Sequence, residues 1–382
     1  MTHRLVLLLA LTAAPPAIAQ EKAQDNAAPI VVTGTPLSAT QKRLADCIAR
    51  NCPPKEDISA SLAHAENQLL AGDYNGSRGT LAASHGRNGR YAKQFPVEVS
   101  DLDRAYGRLT DMTGFPDRSR IIQIGSLDTL KEGFESGDAR ILIQRIMVAD
   151  EFVKVGRLPA ARDLYRKVEK EARAKGEIVV AGMVMQREAS LYTALASVDP
   201  GYAGLASAKI ARLERAREPE LASLKVSAAI LRARLSGTKD RGKAIDEAID
   251  KIADKSPASS PVLVYAEPPF ETPPATGVAR REPSDQPEWI DVSFRIDAKG
   301  RVSDVQQLRN SPRISTSWTK DVLASVSTRR YLPLALKPGT DGIDRVERFT
   351  YAFDIADSTT GTHLANRGSA GRLTSLDITA EP

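Results

Sequence analysis

The hydrophobic period of this chain changes along its length, and each change marks a segment. Leu5 to Ala14 is a continuous apolar run, and at about ten residues it is half of what a bilayer crossing needs. Arg4 precedes it, and Pro15-Pro16 with Ala17-Ile18-Ala19 closes it. A charged start, a short apolar core and a small-x-small site together describe a secretory signal. Residues 1–19 are therefore expected to be a signal peptide cut before Gln20, and residues 20–36, small and polar, a disordered segment.

Residues 37–256 follow a helical period. Leu37 to Arg50 reads as one helix. Ile58, Leu62, Ala65 and Leu69 form the stripe of the next, with Asp57 as its N-cap. Gly72-Asp73-Tyr74 breaks that run before a short helix carrying Leu81. Leu142, Ile146, Ala149 and Phe152 form a later stripe, turned by Gly156 and answered by Ala161, Leu164, Val168 and Ala172. The cleanest stripe is Leu221, Leu224, Ala228, Leu231 and Leu235, and a last helix is expected from Arg241 to Asp254.

From 257 to 287 prolines punctuate the chain, which predicts an extended linker. Beyond it the period becomes two. Ile290, Val292, Phe294 and Ile296 alternate with Asp291, Ser293, Arg295 and Asp297, a strand with one wet face. Asp297-Ala298-Lys299-Gly300 is a hairpin turn, and Val302 to Leu308 returns as a second strand. Trp318, Val322 and Val326 share a helix face, and Phe349, Tyr351, Phe353 and Ile355 mark a third strand, with those aromatics as core. In the tail, 357–382, Leu373 to Ile378 could add one more strand or dock in a groove. The fold class expected is α+β: an N-terminal all-α array of helical hairpins and a small β-β-α-β domain at 288–356.

Two helical units share a grammar. Ala65…Gly72…Ser77-Arg78…Leu81 can be laid beside Ala149…Gly156…Ala161-Arg162…Leu164. Gly turns the chain and a small residue lets the helices approach. The pattern resembles the tetratricopeptide hairpin, although 86–130 breaks register and no clean 34-residue period is visible. Such arrays present a concave surface to a protein or peptide.

The C-terminal stretch resembles the C-terminal domain of TonB-type proteins. The match rests on Val292-Ser293-Phe294-Arg295-Ile296-Asp297 before the Gly300 turn, Val302-Ser303-Asp304-Val305 after it, Asn310-Ser311-Pro312, a helix ending in Arg330-Tyr331-Leu332-Pro333, and the final aromatic strand. The Trp that commonly precedes the helix-exit motif is missing, since Arg329-Arg330 stands there. The resemblance implies a periplasmic protein that binds partner segments by adding a strand to a sheet edge. Strand 348–355 is then the candidate edge. The candidate partner-binding residues are Arg348, Thr350, Ala352 and Asp354, with Tyr331 and Pro333 at the helix exit. Components of outer-membrane transport are the partners that the resemblance implies.

Composition adds a few limits. A formal charge of +5 over 382 residues comes with no Lys/Arg block interleaved with aromatics, so nothing points to nucleic acid. Cys47 and Cys52, in an exported chain, are expected to pair. The histidines show no metal-ligand spacing, and no nucleophile, P-loop or dinucleotide motif appears. No catalytic residue, cofactor or metal is expected. The function expected is a non-enzymatic periplasmic protein-binding adaptor, without stable membrane insertion after signal cleavage. The alternatives are a membrane-anchored TonB-like energy transducer and a structural envelope protein held to peptidoglycan by its basic excess.

Overall fold

The computed structural model describes residues 35–235, 241–253, 258–269, 286–314, 316–359 and 365–379. The predicted signal (1–19), nearly all of the 20–36 segment, 270–285 of the linker and parts of the tail lie outside the described residues. Among the described residues the protein is α+β. Eleven α-helices come first: α1 (Leu37–Ala49), α2 (Pro54–Leu70), α3 (Tyr74–Asn88), α4 (Pro96–Met112), α5 (Pro116–Gly133), α6 (Ala139–Lys154), α7 (Leu158–Lys175), α8 (Ile178–Val198), α9 (Ala203–Glu214), α10 (Leu224–Arg234) and α11 (Arg241–Ala253). Then come β1 (Leu263–Tyr265), β2 (Glu288–Asp297), β3 (Val302–Asn310), α12 (Thr316–Ser327), β4 (Arg330–Tyr331), β5 (Gly342–Thr359) and β6 (Ala365–Asp377). No described helix is long and apolar enough to cross a membrane.

The stretch that appeared to break register is the middle copy of a repeat. Gly72, Gly114 and Gly156 recur every 42 residues, each at positive φ (87°, 92° and 73°). Each follows a helix and closes it in the same way. Asp73, Phe115 and Arg157 donate their N–H to Gln68, Thr110 and Phe152 carbonyls five residues back, a Schellman closure of the orphan carbonyls. Five residues past each glycine stands a buried small residue followed by arginine: Ser77-Arg78, Ser119-Arg120 and Ala161-Arg162. The hairpins are thus α2–α3, α4–α5 and α6–α7. Their period exceeds the 34 residues of a tetratricopeptide unit.

The N-cap expected at Asp57 is not there. α2 starts at Pro54, where a missing N–H costs nothing. Asp57 lies inside its first turn, where Arg87 binds it through Nε and Nη2 at 2.7 Å each. Cys47 and Cys52 stand at disulfide distance, with Cα atoms 5.1 Å apart, between α1 and α2.

The main sheet is antiparallel in the order β3-β2-β5-β6. The β2–β3 turn is closed by Gly300 at φ 76°, with the Lys299 and Arg301 N–H groups donating to Asp297 Oδ1 at 2.9 and 2.8 Å. One face carries the core: Ile290, Val292, Phe294 and Ile296 with Trp318, Val322 and Val326 of α12, and Phe349 and Tyr351 of β5. The expected wet face of β2 is dry over most of its length. Trp289, Asp291 and Ser293 are buried along with the apolar set, because helices cover that face of the sheet.

Candidate functional site

The covered face meets the first helical hairpin, and its chemistry explains the polar residues found there. Arg348 of β5 is fully buried. Its Nε and Nη2 donate to Asp291 of β2 at 2.7 and 3.0 Å. The same guanidinium donates to the Leu69 carbonyl and, at 3.0 Å, to the Leu70 carbonyl. Those carbonyls end α2; Leu69 also accepts the Gly72 N–H at 2.9 Å, whereas Leu70 has no local backbone donor. Arg348 therefore serves as a C-terminal cap supplied from another part of the chain. It also lies 3.9 Å from the Trp289 ring centre, a cation–π contact. Arg309 of β3 binds the second oxygen of Asp291 at 2.6 Å. Trp289 packs against Gly72, and Tyr74, which opens α3, meets the Thr350 hydroxyl at 2.6 Å. Burial pushes the Tyr74 phenol up to about 12.

Two further contacts fix the C-terminal part to the array. Arg372 of β6 binds the Asp111 carboxylate and carbonyl at the end of α4, at 2.6 and 2.7 Å. Lys154 of α6 joins Asp111 to Glu151, whose carboxyl burial holds above its ordinary range. At the other end, Tyr265 of β1 is buried with Ile230, Ile245 and Ile249 of α10 and α11, and Arg330 pairs with Asp246 at 2.9 Å.

These contacts decide where the predicted partner-binding residues lie. Arg348 and Thr350 face α2 and α3. Ala352 is buried opposite Arg372. Asp354 is a backbone position of β5, and its side chain lies outside the described residues. Tyr331 is buried, stacked 6.3 Å from Phe294. The chain's own linker covers the helix exit: Leu332 N–H donates to Val262, and the Pro333 carbonyl accepts from Ala258 at 2.7 Å. The expectation that strand 348–355 is a free edge is overturned, since β5 pairs with β2 on one side and β6 on the other.

The sheet ends on β3 and β6. β3 is exposed for nearly its whole length, but its register with β2 slips twice and Asp304 adopts φ 54°. Such bulges blunt an edge against pairing. β6 keeps a regular register with β5 from Gly371 to Asp377. Two cavities flank that stretch. One of about 430 Å³ is lined by Leu373, Thr374 and Ser375 together with Tyr265, Val322 and Phe349. The other, of about 280 Å³, is lined by Leu376 with Leu62, Leu69, Leu81 and Met112 of α2, α3 and α4. Arg329, on the wall of the larger cavity, loses hydration by burial, yet Glu347 at 2.8 Å holds its charge firmly in place.

Cys47, Cys52 and Glu56 lie within 4.8 Å of one another, but two sulfurs bonded together offer no thiolate to a metal. One acid–histidine pair is well formed, His85 Nδ1 to Asp103 at 2.6 Å. The Asp103 hydrogen bond raises the His85 pKa above its ordinary 6.5. A raised folded value means that the pair's stability is complete below about pH 6.5 and is lost as pH rises through the folded value. His85→Asn is expected to destabilise the protein modestly in acid and scarcely at pH 8, by thermal unfolding at both pH values; the side chain is half-exposed, so solvent keeps the effect small.

Sequence reading missed Trp289, Asp291, Arg309 and Tyr74 as junction residues. The signal was present in β2 and β5: an acid, Asp291, on the same face as a cation, Arg348, directly across the ladder. No protein-family model matches the chain, and no curated protein does.

Proposed function

We propose that the chain is a non-enzymatic adaptor of the periplasm that binds a protein or peptide. The signal-like N-terminus supports the location. Support for the fold reading comes from hairpins resembling tetratricopeptide units and a β-β-α-β order resembling the TonB C-terminal domain. The observation that carries binding is the outer edge of β6, regular over Gly371–Asp377 and flanked by two cavities. Strand addition draws affinity from backbone groups and selectivity from pockets for alternate side chains, and both are present there. A photo-crosslinking residue at Ser375, exposed on β6, is expected to give a discrete protein adduct in intact cells, and one at Ser303 of β3 none. Adducts from 303 without any from 375 would overturn the placement. A mature N-terminus at Gln20 would eliminate the anchored energy transducer.

A further inference from the structure

The outer face of α7 is predominantly basic. Its inner stripe, Ala161, Tyr165, Val168 and Ala172, is buried. Six bases of the helix are exposed: Arg162, Arg166, Lys167, Lys170, Arg173 and Lys175. Of the three acids, Glu169 and Glu171 are largely buried and Asp163 is about half exposed (48%), and each is already paired. Glu171 pairs with Arg145 of α6, Glu169 with Arg212 of α9 and with Arg173, and Asp163 is shared by Arg162 and Arg166. Lys167, Lys170 and Lys175 have no acid within pairing distance among the described residues. Beyond the turn at Gly176, α8 exposes two apolar side chains four residues apart, Val179 (57%) and Met183 (39%).

The composition of this face selects its occupant. Protein-interface hot spots are mostly Trp, Tyr and Arg seated in desolvated pockets, and the exposed apolar residues of α7 are only Pro159, Ala160 and Ala174. Long unpaired bases, bordered by two apolar side chains that can insert shallowly, suit a layer of anionic headgroups. We propose that the outer face of α7, with the start of α8, docks peripherally on an anionic lipid surface. The proposal is independent of strand addition at β6.

The test is co-sedimentation of the full mature chain with vesicles of phosphatidylcholine, alone or mixed with phosphatidylglycerol. Binding is expected only to the mixed vesicles, and to weaken steeply with salt. Each base is worth about fivefold in affinity, so Lys167→Gln/Lys170→Gln/Lys175→Gln should bind about a hundredfold more weakly. Those side chains are exposed, so the variant's thermal midpoint should match the wild type. Val179→Ser/Met183→Ser should weaken binding further at high salt. Equal binding to both vesicle types, or a triple variant that binds like the wild type, overturns the proposal. So does binding to cell-wall polymer without binding to vesicles.

Discussion

Replacing Arg348 with methionine is expected to lower the unfolding free energy by about 3 kcal/mol. The change removes the donor to the Leu70 carbonyl, a second donor to that of Leu69, the cation over Trp289 and one of the two partners of Asp291. Breaking a buried ion pair typically costs about 3–5 kcal/mol. The lower end applies here because Arg309 still binds Asp291. Asp291→Leu should cost at least as much, since it leaves a fully buried guanidinium short of its carboxylate. The double variant should lose less than the sum of the singles, because neither charge is then stranded. Urea unfolding of all four proteins measures the cycle. Strict additivity would show that the pair does not act as a unit.

Gly72→Ala is the second large effect, at about 2–5 kcal/mol. Its φ of 87° already disfavours any side chain, and the new Cβ would lie 2.7 Å from Trp289 Cζ2. Left-handed backbone costs about 1–2 kcal/mol in a non-glycine residue, and overpacking adds about 1–3 kcal/mol. Gly156 separates the two contributions. It has φ 73° with open space around its missing Cβ, so Gly156→Ala meets the backbone penalty alone. Urea unfolding of the two variants should differ by the cost of displacing Trp289. Equal losses would mean that Trp289 yields without strain.

The sequence made some of this architecture legible and hid the rest for identifiable reasons. Helix existence was clear wherever an apolar stripe served the core, as in α6, α7 and α10. The middle repeat escaped because polar contacts interrupt its apolar stripes. Ser100 bonds Ser126 at 2.8 Å, and Gln144 of α6 donates to Gln123 at 3.0 Å. Leu102, Leu109, Leu127 and Leu130 are buried there all the same, and it is the spacing of Gly114 and Ser119-Arg120 that carries the repeat signal. The order of strands and helix within 288–356 was also readable, and of the two readings open for Leu373 to Ile378 the structure shows the strand. The junction was not, because alternation shows that a face is polar without showing what covers it. Asp291, Ser293, Arg348 and Thr350 look like a solvated face until α2 and α3 are placed over them.

That covering is the central claim: the face expected to meet a partner instead joins the sheet to the helical array. The chain has two tryptophans, Trp289 at the junction and Trp318 in the core between α12 and the sheet. In a Trp318→Phe variant, fluorescence therefore reports the junction alone, while far-UV circular dichroism reports mainly the helices. Urea unfolding followed by both signals should give one coincident transition, with Trp289 becoming exposed as the helices melt. Exposure of Trp289 well below the urea concentration at which helicity is lost would contradict it.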